Sequence, residues 1–197
     1  MPETPEVERR CYVGWDREEH TFGRISTRDQ PVTVDSFKFL PRSIAAYYQT
    51  LVVHKAEPIP WTPFRNPVSG ARFSLVTTSG IYVKDSQQPF DAEREKREPM
   101  WGDPSYRQIP RDVRQDQIGA SHLHINNRDL LEDVNTVLPI QRLTELEGEG
   151  VIGSLAPTSY SFMGYQPNTT EWRERYGPEV AGLMKDEAVD AVLLAPA

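Results

Sequence analysis

Two histidines stand one residue apart in ASHLHINNRD, at His122 and His124, in a chain that has only 4. In an extended segment positions i and i+2 share a face. The spacing therefore predicts both imidazoles on one side, with Leu123 and Ile125 on the other. Three kinds of chemistry suit such a pair. It can bind a divalent transition metal, zinc or iron, once a carboxylate completes a two-histidine, one-carboxylate set. Asp133 is the expected third ligand, with Asp129 and Glu132 as nearby carboxylates. The pair can instead hold the carboxylate of a small acid through imidazole N–H groups, in a pH-dependent way. Or it is a structural pair, hydrogen-bonded at a strand end.

Other groups gather around this motif in sequence. DVNTVLP places Asp133 and Asn135 on one face if extended, where they orient the histidines or a substrate; a turn closed on its own backbone is the other reading. GDPSYRQIPRD supplies Tyr106, a hydroxyl able to donate a proton, and Arg107, whose planar fork matches a carboxylate, as does that of Arg111. Packing of the tyrosine and surface pairing of the arginines compete with that. In SYSFMGY, Tyr160 is a candidate catalytic hydroxyl, whereas no G-x-S-x-G elbow surrounds Ser159 or Ser161 to make a nucleophile. Thr78, Ser79 and Gly80 offer hydroxyls and backbone N–H groups to an anion, or form a plain tight turn. The expected catalytic set is His122, His124, Tyr160 and Tyr106. The expected substrate-binding set is Thr78, Ser79, Gly80, Arg107, Asn126 and Asn135.

These residues need strand ends to converge. ARFSLVTTSG reads as a buried strand ending in a small-residue turn, IGASHLHI as a second strand and SYSFMGY as a third. VDAVLLAPA is a continuous apolar run of the kind parallel sheets bury on both faces. Helices are expected over PRSIAAYYQTLVV, with Ile44, Tyr47, Tyr48 and Leu51 on one face, and from near Pro139, with Ile140, Leu143 and Leu146 inward. A third, TEWRERYGPEVAGLMKDEA, is expected with a Thr170 cap. Residues 85–112 read as one long loop, within which the charge run DAEREKREP reads as solvated surface. Strands alternating with helices imply an α/β fold, a three-layer sandwich with a mostly parallel sheet. Residues 1–52 form an irregular N-terminal arm and helix, and 53–197 the main domain.

Composition narrows the function classes. A net charge of −7 over 197 residues argues against a nucleic-acid surface. A single cysteine, Cys11, excludes an internal disulfide. No apolar run is long enough to span a bilayer and the N-terminus has no signal-peptide core, so the expectation is a cytoplasmic protein with no membrane partner. No nucleotide cofactor is expected.

From IPWTPF to the last residue the chain resembles the selenoprotein B family of glycine, sarcosine, betaine and D-proline reductases. The resemblance is carried, in order, by LVTTSGIYVK, GDPSYRQIPRD, SHLHIN, DVNTVLPIQRLTELEGEGVIGSLAP, SYSFMGY and VDAVLLAPA. Short bacterial members carry HDHYD at the third segment, where this chain has Leu123 and Asn126 in place of aspartates. In the reductases a strand like VDAVLLAPA is followed at once by selenocysteine or cysteine, the nucleophile; this sequence ends there, at Ala197. A selenocysteine codon read as stop, a tail lost or placed on another polypeptide, and a protein needing no tail are the alternatives. The resemblance implies reductive cleavage of a carbon–nitrogen bond in a small amino- or carboxylate-bearing substrate, with a thiol- or selenol-bearing partner protein. The residues themselves favour metal-assisted or acid–base chemistry by the histidines, in a lyase or hydrolase if not a reductase. A catalytically silent binding or assembly subunit is the third possibility. A homo-oligomer is expected, held through the proline-rich arm.

Overall fold

The computed structural model describes residues 13–16, 21–24, 36–42, 45, 46, 49 and 62–197. The face expected for the first helix (Ile44, Tyr47, Tyr48, Leu51) lies outside the described residues, as do Cys11, His20 and His54. The chain divides into two units, Met1–Pro60 and Trp61–Ala197. In the first, β1 (Val13–Asp16) and β2 (Thr21–Arg24) pair antiparallel.

The second unit is built on β3 (Arg72–Thr77), the strand expected from ARFSLVT. Its successors in chain order are β4 (Ile81–Val83), α1 (Ala92–Arg97), β5 (Tyr106–Pro110), β6 (Ile118–Ala120), α2 (Asn127–Glu132) and α3 (Ile140–Gly148). Then come β7 (Ser154–Leu155), β8 (Thr158–Phe162), a π turn (Trp172–Tyr176) running into α4 (Gly177–Asp186), and β9 (Ala191–Ala195). β9 lies parallel along one edge of β3, from Phe73↔Ala191 to Thr77↔Ala195. β7 and β8 share the other edge, also parallel, and β5 adds antiparallel to β8. The fold is thus α/β with a mostly parallel sheet. Leu75, Ile109, Leu143 and Leu155 pack with the ribbon residues Ile81 and Ile118 in one core cluster. Tyr160, Phe162, Val180 and Met184 form a second, under α4.

Several elements differ from the sequence reading. The strand expected over IGASHLHI stops at Ala120 and belongs to a separate antiparallel ribbon with β4, registered Ile81↔Ala120. Beyond it the Asn126 side chain accepts a hydrogen bond from Arg128 N and starts α2, so the histidines lie in the intervening bend. The long loop of 85–112 contains α1 and β5. Asp133 and Asn135 sit not in a strand but at a 3-10 turn over Val134–Thr136. The last helix begins with Asn168 accepting from Thr170 N, the reverse of a Thr170 cap. Its π turn, in which Gly177 N–H reaches back to Trp172 O, comes directly before Pro178, which has no N–H to continue the ladder.

Candidate functional site

The carboxyl ends of the parallel strands come together beside the bend that carries the histidines. Gly80 takes φ +64°, a backbone conformation open to glycine, and an added Cβ there would lie 3.3 Å from His122 N. Ser79 is buried and bridges Met163, while Thr77 Oγ1 donates to Ser79 Oγ at 3.0 Å. Thr78 Oγ1 accepts from Ala197 N at 2.9 Å, tying the end of β3 to the residues after β9. The TTSG turn thus serves the scaffold with its hydroxyls and its tight approach.

His122 is 4% exposed and lines a cleft of about 340 Å³, with Pro89, Phe90, Asp91, Ser121 and Asn127 among its walls. Its Nδ1 accepts from His124 N at 3.1 Å, and its Nε2 is buried with no hydrogen-bond partner. Burial, reinforced by His124, holds its pKa below the usual imidazole value. Asn127 Nδ2 donates to His122 O at 2.9 Å, leaving the buried Asn127 Oδ1 without a partner.

His124 is half-exposed. Its ring stands edge-on to that of His122 at 5.9 Å and lies 4.5 Å from that of Tyr165. The two imidazoles are neighbours, as the spacing predicts, through a bend rather than through strand alternation. His124 Nε2 approaches Glu95 Oε1 to 2.8 Å, an ion-pair distance that is not aligned for a hydrogen bond. Glu95 is the one buried residue of α1, and burial raises its pKa against the opposing pull of His124. The helix is fixed at its start by Asp91, whose side chain accepts from Arg94 N and whose own N–H donates to Asp103 Oδ2.

The other candidate residues do not join this cluster. Tyr160 is 1% exposed, in the core under α4, and burial pushes its pKa up to about 12. Tyr106 packs against Tyr160, Phe162 and Tyr176, with ring centroids about 6 Å apart, and its pKa is likewise raised by burial. Arg107 spends its fork on the protein: it donates to Gln88 O, Pro89 O, Ser105 Oγ and Tyr106 O, and stacks over Phe90 at 4.2 Å. It braces Pro89 and Phe90, which line the cleft, and itself borders a separate opening with Gln87, Gln88, Tyr106 and Gln108. Asn126 caps α2, and Asn135 donates to Asp133 and Gln141. Asp133 accepts from Asn135, which holds its carboxyl below the ordinary range. Among the described residues no three His, Cys, Asp or Glu side chains stand together as a metal ligand set. The expected His122, His124, Asp133 set for zinc or iron is not assembled among the described residues, and Asp133 spends its carboxylate on Asn135 N and Nδ2.

Glu95 and Asn127 are the residues that sequence reasoning passed over. Glu95 lies in a charge run read as solvated, yet it follows Ala92 by three positions, so both fall on the same side of a helix. Asn127 is the second of two asparagines; the first takes the cap, which frees the second for the cleft.

The family model described as glycine/sarcosine/betaine reductase selenoprotein B matches residues 43–197. D-proline reductase subunit gamma of Acetoanaerobium sticklandii is 36% identical over 134 residues, 68% of this chain and 52% of that protein. Glycine reductase complex component B subunit gamma of Carboxydothermus hydrogenoformans is 27% identical over 136 residues, 69% of this chain and 30% of that protein. The chain therefore spans about half the length of the first relative and less than a third of the second. No solved structure matches it. Among the described residues no helix is long and apolar enough to cross a membrane. Matched from residue 43 to its last residue, the chain belongs to the glycine/sarcosine/betaine reductase selenoprotein B family.

Proposed function

We propose that this chain is a reductase subunit that binds a small molecule bearing amino and carboxylate groups in the His122 cleft, with the histidines as its acid–base groups. The observation that carries the reading is a pair of orphaned atoms, His122 Nε2 and Asn127 Oδ1, both buried and both contributed by residues lining one cleft. Because His122 Nδ1 accepts from His124 N–H, the proton of the neutral ring belongs on Nε2, which makes that atom a donor. Asn127 has used its N–H on His122 O and keeps Oδ1 as an acceptor. A donor and an acceptor contributed to one cleft match the carboxylate and the ammonium of an amino acid. Asp91 and Glu93, which also line the cleft, favour the cationic end.

The names of the relatives make D-proline the first ligand to test and glycine the second. Breaking a carbon–nitrogen bond leaves a nitrogen that must take up a proton, which an imidazolium supplies. A thiolate or selenolate of a partner protein forms the new bond to carbon as the carbon–nitrogen bond breaks, and the nitrogen leaves with the bonding pair and that proton; a protein partner is in keeping with the subunit names of both relatives. Calorimetric titration of the purified chain with D-proline, glycine and D-proline amide tests the reading. Saturable binding of an amino acid, weakened about tenfold or more in His122→Ala and in Asn127→Ala, is the expected result. Binding that survives both substitutions places the substrate elsewhere and ends the proposal.

A further inference from the structure

Glu95 has no structural employment that explains its position. It is 3% exposed on a helix whose other charged residues face solvent, and neither of its oxygens has an aligned hydrogen-bond donor. Burying a carboxylate so poorly paired costs stability. The polar group it meets is His124, at 2.8 Å. The other titratable groups near this contact are His122, edge-on to His124, Tyr165, ring to ring with it, and Asp103, whose like charge repels that of Glu95. A carboxylate at ion-pair distance from one nitrogen of an imidazole favours the proton on that nitrogen through its charge, even where the hydrogen bond is not aligned.

We propose that Glu95 is a positioning residue for His124: it holds the proton on Nε2 and leaves Nδ1 as the basic nitrogen of a ring that stands edge-on to the cleft-lining His122. The role rests on the acid–base reading of the cleft. A neutral His124 so held accepts a proton at Nδ1, and the imidazolium returns it from there, so no further reactant is needed. The charge-rich helix α1, on this account, is a wall of the site and not decoration on the surface.

The test reads the tautomer directly. Long-range proton–nitrogen spectra of the 15N-labelled full chain, above the histidine titration range, report which ring nitrogen of His124 is protonated. The wild type is expected to show the Nε2–H form, and Glu95→Leu and Glu95→Gln to show a mixture. In the complex reconstituted with its partner subunits, Glu95→Gln is expected to lower kcat roughly 10- to 100-fold with KM changed less than about twofold. Glu95→Gln removes a buried charge at constant volume, so melting curves should show a fold at least as stable as the wild type. A His124 tautomer ratio that is the same in wild type and both variants overturns the proposal, whatever the complex does. Correct tautomers in a complex inactive on amino acids leave Glu95 in its role and remove only the substrate reading.

Discussion

His122 is held neutral by its surroundings, and that state has a measurable cost. Its folded pKa lies below the usual imidazole value, chiefly because burial disfavours the cation. The folded chain therefore binds fewer protons here than the unfolded chain as pH falls through about 6.5, so stability drops on acidification through that window. Replacing the ring by an amide removes this contribution. Denaturant midpoints at about pH 7.5 and 5.5 should fall less in His122→Gln than in wild type, and equal losses would show that the ring is not buried as described. Glu95 has the opposite sign. Its folded pKa is raised, so the penalty of burying it grows as pH rises through the carboxylate range. The stability of Glu95→Gln should therefore exceed that of wild type at neutral pH and approach it near pH 4. Neither effect was visible in the sequence. His122 stands out by its type and spacing, but its burial comes from the ribbon and the cleft wall.

At the scale of elements, apolar runs were legible and turns were not. β3, β8 and β9 sit where ARFSLVT, SYSF and VDAVLLA announce them, and α3 turns Ile140, Leu143 and Leu146 toward the core. The sequence SHLHI imitates a strand because alternation at period two does not say where pairing stops. Pairing stops when Ser121 N donates to Gly80 O and the next residues have no partner strand. The Gly80 turn then decides where His122 sits. An alanine there would hold φ +64° against its own Cβ and meet Met163 Cε at 3.0 Å and His122 N at 3.3 Å. Gly80→Ala should cost about 1–2 kcal/mol or more in chemical denaturation, and it should weaken amino-acid binding as well, because it displaces the backbone of His122. A loss of stability with binding intact would separate the turn from the site. Gly102 constrains Tyr165 in the same manner, since an added Cβ would fall 1.8 Å from Tyr165 O. That contact fixes the residue whose ring lies against His124.

At the scale of the molecule, the candidate site and the cores that support it belong to one unit. Both core clusters draw their residues from between Phe73 and Val189, and every strand beside the cleft is paired within Trp61–Ala197. A unit of this size falls in the range where a single core supports cooperative folding. Its sheet is uneven in cover: Val192, Leu193 and Leu194 of β9 are 41%, 43% and 68% exposed, although the apolar run reads as a strand buried on both faces. The pairing of β9 with β3 along five registered positions fixes the strand without that cover. A fragment of residues 61–197 should therefore unfold in one cooperative transition and keep the His124 tautomer and the amino-acid affinity of the full chain. Circular dichroism, the imidazole spectrum and calorimetry each read one of these properties. A fragment with helical signal but no cooperative transition would mean that Met1–Pro60 completes the core. A fragment that folds but does not bind would mean that the first unit supplies part of the site.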